Sequence, residues 1–258
     1  MIRLSSGTYL GENTSRYEGN GIQLVDTVYH QVVSNDWHSH EHTHLTLVLD
    51  GGNREQRRGA DYQLGAGQVI FYHSDEVHRN DHTLFPSRNI NLEIGPEFFA
   101  KYELTEVQFA EAIKFHNINA SFILRVFKEA ELNEDALTDH VAELLISPLN
   151  KKYKVPPKWV RELHQLLNDN WQEIPSLHAL AALVSVHPTT ISKHFTQYFG
   201  CTLSQYLRKL KIERAIPMLR DKFSISEISY FCGFADQSHF IRTFKTETGL
   251  LPKAFRKL

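Results

Sequence analysis

The strongest constraint on this 258-residue chain is an internal repeat near its C-terminus. Ile191, Lys193, Phe195, Gly200 and Tyr206 recur 49 positions later as Phe240, Arg242, Phe244, Gly249 and Phe255. Upstream, Leu177-x-x-Leu180 returns as Ile225-x-x-Ile228 at an offset of 48, so the second copy carries one inserted residue in its turn. Apolar residues three and four apart mark one face of a helix, whereas a half-buried strand needs strict alternation. Each copy reads as a short helix, a tight turn, a second helix and then glycine. Between the copies, Leu203 to Leu219 is a helical stretch of about 17 residues, roughly 25 Å long at ~1.5 Å per residue.

This is the grammar of a helix-turn-helix pair. The first helix buries its stripe. The turn needs a small residue, supplied by Ser185 in the first copy and Gly233 in the second. The second helix buries Ile191 and Phe195, or Phe240 and Phe244, and its other face stays polar. That face offers Thr189, Thr190, Ser192 and Lys193 in one copy, and Gln237, Ser238, His239 and Arg242 in the other. Hydroxyls, amides and single cations are the groups that reach base edges and phosphates. The recognition helices are centred on Ser192 and His239, and a rigid connector suits major-groove segments that recur about every 34 Å. Pro217 is expected to kink or end that connector, since it lacks an N–H.

Charge agrees with double-stranded DNA as the partner. The net charge is −2, but residues 156–258 hold 14 Lys+Arg against 8 Asp+Glu, a net of +6, which leaves −8 for residues 1–155. A basic module neutralises phosphates; an acidic one is repelled by them. No apolar run approaches the ~20 residues needed to cross a bilayer, so no membrane partner is expected. Met1 to Tyr17 is polar and does not read as a secretory signal. Cys201 and Cys232 are expected as free thiols, which fits a cytoplasmic protein.

The first part of the chain has a different period. Ile22–Val33, Leu45–Leu49, Tyr62–Leu64, Gln68–Tyr72 and Asn89–Ile94 read as short strands, with Asp50-Gly51-Gly52 and Gly65-Ala66-Gly67 as turn signals. Such spacing predicts a small barrel or sandwich. Helical spacing begins after Pro96, with Phe122 to Ala130 and Ala136 to Leu145 as two helices beside the barrel. Lys151 to Pro157 is basic and ends in two prolines, which marks a linker. The expected organisation is α+β: a sensor over residues 1–95, a helical linker or dimerisation region over 96–150, and an all-α double helix-turn-helix domain over 156–258.

Residues 176–256 resemble the DNA-binding domain of the AraC/XylS family. The second copy carries that family's signature: Ile225-Ser226-Glu227-Ile228, then Gly233-Phe234-Ala235-Asp236-Gln237-Ser238-His239-Phe240, Arg242-x-Phe244-Lys245, Gly249-x-x-Pro252 and Phe255-Arg256. The first copy departs from it, with Ser185 at the usual turn glycine and His187-Pro188 opening the recognition helix. The resemblance implies a bacterial transcription regulator, often an activator, that works with RNA polymerase. It places Thr189, Ser192, Lys193, Gln237, Ser238 and Arg242 against DNA and makes Phe195, Gly200, Phe244 and Gly249 structural.

Seven of the 15 histidines lie between His38 and His82. In Trp37-His38-Ser39-His40-Glu41-His42-Thr43-His44 the four imidazoles alternate, so along a single strand all would project one way. Converging imidazoles are metal ligands by type. The spacing resembles the cupin family over roughly residues 20–95: His38-x-His40, three residues, His44, six residues, Gly51; then Gly67, His73, Asp75 and His78. His44 stands where that family carries Glu, and His73 and Asp75 replace its Pro and Gly. The resemblance implies a cupin-like β-barrel in which His38, His40, His44 and His78 hold a divalent metal; zinc, nickel and iron all suit the donors. His42 and His73 are left as outward or supporting residues. The reading is a non-enzymatic regulator whose DNA binding responds to a small molecule or metal in the N-terminal domain, with Phe122–Leu149 as surfaces for a homodimer or a relay. The alternative is a metal-dependent cupin enzyme of dioxygenase type.

Overall fold

A computed structural model describes residues 1–31, 36–116, 118–133, 137–139, 141–142 and 156–258. Strands β1 (Ile2–Leu4), β2 (Glu12–Gly19), β3 (Ile22–Tyr29), β4 (His38–His40), β5 (Thr43–Arg57), β6 (Ala60–Gly65), β7 (Val69–Tyr72) and β8 (His78–Ile94) form one eight-stranded sheet. β8 is its spine. It pairs antiparallel with β3 from Ile22↔Ile94 to Tyr29↔Ser87, and on its other side with β5 from Thr43↔Ile94 to Arg57↔His78. β4 joins β8 through His38↔His78 and carries β1 in parallel.

Asp50-Gly51-Gly52 is not the turn that its composition predicts. β5 runs through it to Arg57, and the register against β8 shifts between Val48, Asp50, Gly52 and Asn53. Extra residues absorbed as bulges bend a strand instead of ending it, and the sheet curls into a half-barrel. Period-two alternation then sorts the side chains. His44, Thr46, Asn89 and Asn91 line the lumen, whereas Leu45, Leu47, Ile90 and Leu92 are buried in the core beneath the helices.

Helices α1 (Pro96–Lys101), α2 (Glu106–His116) and α3 (Ala120–Leu132) follow the sheet. Asn119 caps α3, its Oδ1 accepting from the Phe122 N–H at 3.1 Å. Residues 137–139 and 141–142 are helical and bury Leu137 and Val141 in the same core. The remainder of the helix expected there, and linker residues 151–155, lie outside the described residues. The C-terminal part holds α4 (Lys158–Asp169), α5 (Leu177–Leu183), α6 (Pro188–Phe199), α7 (Leu203–Arg220), α8 (Ile225–Phe231), α9 (Gln237–Thr248) and α10 (Pro252–Phe255). Pro217 falls in the last turn of α7, where it lacks the N–H that would bond back to the carbonyl of Glu213, and the helix ends three residues later at Arg220.

The buried side chains divide in an unexpected way. One core holds Val160, Leu163, Leu167, Leu180, Ile191, Phe195, Phe199, Tyr206 and Leu210, which is the first helix-turn-helix on α4. The other joins the sheet and α3 to Ile212, Ile216, Ile228, Phe240, Phe244 and Phe255. The second helix-turn-helix therefore shares its core with the sheet and α3, and α7 spans both cores. At the joint Gly67, at φ +85°, sits in the β6–β7 turn against α7; a Cβ there would lie 3.1 Å from Ile216 Cγ2 and from Pro217 Cδ. Both the close approach and the left-handed backbone demand glycine.

Replacing Phe244 by alanine is expected to cost about 3–5 kcal/mol, the range for truncating a buried aromatic. Because its core is shared, the loss is expected to appear in one cooperative urea transition that takes sensor and second helix-turn-helix signals together, not in a separate C-terminal step.

Candidate nucleic-acid interface and histidine cluster

The two helix-turn-helix units are built from the same local interactions. In the first, the Val186 N–H donates to Ala181 O at 3.0 Å and the Ser185 N–H to Ala182 O at 3.2 Å; in the second, Phe234 donates to Ser229 at 2.9 Å and Gly233 to Tyr230 at 3.0 Å. Both turn residues are left-handed, Gly233 at φ +64° and Ser185 at φ +55°. Glycine takes that conformation freely, whereas an L-residue loses roughly 1–2 kcal/mol there, so the first turn is strained where the second is not. Side-chain caps start both recognition helices. Asp236 accepts from the His239 N–H at 2.7 Å, and His187 Nδ1 accepts from the Thr189 N–H at 3.3 Å. Gly200 and Gly249 end them.

Six of the eight residues expected to face DNA are exposed: Thr189, Ser192 and Lys193 on α6, and Gln237, Ser238 and Arg242 on α9. Thr190 and His239 are half-buried. His239 turns back, its Nδ1 accepting from the Ala235 N–H at 3.4 Å and its ring 5.4 Å from that of Phe234. Thr189 Oγ1 lies 2.8 Å from His187 Nδ1, and Ser192 Oγ donates to Pro188 O at 3.3 Å. Thr196 and Gln197, and likewise Lys245 and Thr246, are exposed one turn further along the same faces. The 3.6-residue period places them on those faces. α3 packs on α9 and α2 on α6, while these polar side chains stay in solvent.

The histidines are less uniform than their spacing predicts. A break at Glu41 and His42 separates β4 from β5, so the four do not share one strand face. Donor nitrogens of His38, His40 and His78 lie within 4.8 Å of one another. The His44 ring adjoins them at 4.4 Å from His40 and stacks on Tyr72 at 4.4 Å and 10°. His42 turns to Glu93, 2.9 Å away, and His73 to Glu106, 2.6 Å away, outside the cluster.

Three of the rings are oriented by backbone carbonyls. Nδ1 of His38 faces Asp36 O at 3.1 Å, that of His78 faces Glu76 O at 2.9 Å, and that of His44 faces His42 O at 3.3 Å. A carbonyl only accepts, so each Nδ1 carries the proton and each Nε2 keeps a free lone pair. Among the described residues His40 Nδ1 is buried with no hydrogen-bond partner. Tyr72 is held beside the cluster by its hydroxyl donating to buried Glu55, which also binds Arg57. The lumen around the rings is about 30 Å³, lined also by Tyr9, Tyr29, Asn89 and Asn91. That is room for an ion and a water or two.

Burial, with the neighbouring imidazoles, holds these rings neutral. His44 and His78 are pushed down to about 3, and His40 lies lower still. Neutral imidazole is the form that binds metal. In the unfolded chain the same histidines protonate near ~6.5. Between those values the unfolded chain binds more protons, so stability falls as pH falls. Urea midpoints of the protein are expected to drop steadily as pH is lowered from 6.5 towards 3, and His78→Gln is expected to flatten that slope.

Comparison with known proteins converges on the same C-terminal unit. Residues 180–258 match a family model described as a helix-turn-helix domain. The HTH-type transcriptional activator RhaS of Escherichia fergusonii is 24% identical over 245 residues, covering 85% of this chain and 87% of that one. The activator RhaR of Salmonella dublin is 25% identical over 252 residues, covering 86% of each. Among solved structures, ToxT of Vibrio cholerae aligns over 92% of this chain and 98% of its own at 12% identity and a TM-score of 0.39. With two helix-turn-helix units, the signature around His239 and a cupin-like half-barrel ahead of them, the chain is similar over most of its length to HTH-type transcriptional activators, and residues 180–258 match the helix-turn-helix domain model.

Proposed function

We propose that this regulator reads DNA through the exposed faces of α6 and α9 and that a divalent metal in the half-barrel governs how it does so. The observation that carries the metal is the histidine cluster. Three buried donor nitrogens lie within 4.8 Å, a fourth ring adjoins them, and all four histidines line one lumen. His38, His40, His44 and His78 supply four neutral nitrogens, a set suited to zinc or nickel, and to iron with added solvent ligands. A bound ion would tie β4 to β5 and β8, the strands that carry these residues.

On the DNA side, Thr189, Ser192 and Lys193 of the first unit and Gln237, Ser238 and Arg242 of the second are the contact residues, with Thr190 and His239 supporting them. Lys193 and Arg242 occupy equivalent repeat positions, so both are assigned phosphate or guanine contacts. The strained turn of the first unit makes the second the stronger anchor. RNA polymerase is the further partner that fits a regulator of this family, in the cytoplasm. A homodimer through α3 has little surface available, since its apolar face is already buried. Against an enzyme stands the likeness over most of the chain to proteins named as transcriptional activators.

Binding to operator DNA selected from genomic fragments, with and without added Zn²⁺ or Ni²⁺, tests both halves. Arg242→Ala or Gln237→Ala is expected to weaken binding by about 1–3 kcal/mol, roughly 5- to 150-fold. Tag-free protein is expected to take up about one ion per chain and to shift its DNA affinity on doing so; the paired His38→Ala, His78→Ala protein should do neither. Unchanged DNA binding in the Arg242 and Gln237 variants would sink the reading of α9, and the absence of metal uptake would sink the reading of the half-barrel.

A further inference from the structure

Between the half-barrel and the first helix-turn-helix lies a second cavity, of about 400 Å³. Its walls come from four places: the β6–β7 turn at Ala66–Val69, Ile113 with the start of α3 at Ile118–Ala120, His164 and Asn168 of α4, and Glu213, Arg214 and Pro217 of α7. That volume is within the range of small-molecule sites, which hold a few polar groups among apolar walls.

The polar groups here are opposite in charge and unpaired. Glu213 and Arg214 are adjacent on α7, and the Arg214 charge acts on the Glu213 carboxyl. Among the described residues neither makes an ion pair. Arg214 lies 5.7 Å over the Trp171 ring, which leaves its N–H groups free for an acceptor. The amide of Asn119 faces Glu213, yet its Nδ2 is buried without a hydrogen bond of normal geometry, and Asn119 itself is 6% exposed. One carboxylate, one guanidinium and one idle amide donor thus line a cleft whose remaining walls include Val69, Ile113, Ala120 and Pro217.

We propose that this cleft binds a small zwitterion, an aliphatic amino acid, with its ammonium on Glu213, its carboxylate on Arg214 and Asn119 Nδ2, and its side chain against Val69 and Ile113. The complementarity is specific. An amine alone leaves Arg214 and Asn119 without an acceptor, and a carboxylate alone faces Glu213. Burial pushes the Glu213 carboxyl up to about 7, against Arg214 and Lys209 on its own helix; His164, the ionisable group facing it from α4, is held neutral by burial. An ammonium selects the ionised carboxylate. A site competent only when Glu213 is charged therefore tightens about tenfold between roughly pH 6 and 8. The cleft is independent of the histidine lumen, and its ligand touches both the sensor and α7.

The test is isothermal titration calorimetry on the full chain, free of DNA and added metal, so that it does not depend on the metal reading. The probes are L-valine, L-isoleucine and L-leucine, with isopentylamine and 4-methylpentanoate as leucine lacking one charge each. At least one amino acid is expected to bind, more tightly at the higher pH, with the two single-charge analogues at least about tenfold weaker. Glu213→Gln and Arg214→Met should each weaken the amino acid by a similar factor, and Glu213→Gln should also remove the pH dependence. Failure of all three amino acids to bind, equal binding of either analogue, or unchanged binding to Glu213→Gln overturns the proposal. The analogue arms use the native chain, so they decide the matter even if a variant folds poorly.

Discussion

The second helix-turn-helix is packed into the core of the half-barrel domain, and the remaining organisation follows from that contact. Phe240 and Phe244, on the inner face of the recognition helix, are buried in one cluster with Ile123 and Phe127 of α3 and with the sheet residues Leu45 and Leu92. Protein interiors are close-packed and respond to strain by discrete repacking. The floor under α9 is therefore the roof of the sensor. The first helix-turn-helix has a core of its own on α4, and α7 is the beam between the two. The second unit thus packs directly against the core of the sheet, and the first is joined to the rest by α7 and by the packing of α2 on α6.

The half-barrel lumen is polar in a way that apolar burial alone does not explain. Thr46, Asn89 and Asn91 and four histidines point inward from strands whose opposite faces are Leu and Ile. Thr46, Asn91 and Thr27 satisfy one another, but Asn89 Oδ1 and His40 Nδ1 are left without partners. Buried polar groups that stay unpaired cost roughly 1–3 kcal/mol each. These groups adjoin the convergent imidazole nitrogens on which the proposed metal site rests.

The inequality of the two reading heads has a local origin. Copy two places glycine where the turn is left-handed and aspartate where the helix needs a cap. Copy one makes the same turn with serine and caps with a histidine ring. Each substitution weakens the local preference for the turn, and the tertiary contacts of Phe195, Phe199 and Tyr206, which stack within 4.1–5.8 Å, hold the unit together instead.

The helical repeat was legible from residue types alone, because each element depends on contacts three or four residues apart and on turn chemistry confined to a few positions. The helix spans, the caps at Ser176 and Gly200, and the buried pairs Ile191–Phe195 and Phe240–Phe244 all follow from such local rules. The strands around Leu45, Gln68 and Asn89 were legible for the same reason, but their ends were not: Asp50-Gly51-Gly52 has the composition of a turn, and only pairing with β8 makes it a bulge. The alternation of His38 to His44 implied one strand face. The sheet instead breaks that run at His42 and turns His42 to Glu93, while His78, which the cupin-like spacing already included, joins from β8 some forty residues away in sequence. Most hidden of all were the shared core and the cleft at Glu213. Sequence periodicity marks which face of a helix is buried, but the identity of the surface that buries it is set by long-range packing, and only the tertiary structure decided that the sensor and the second reading head bury each other.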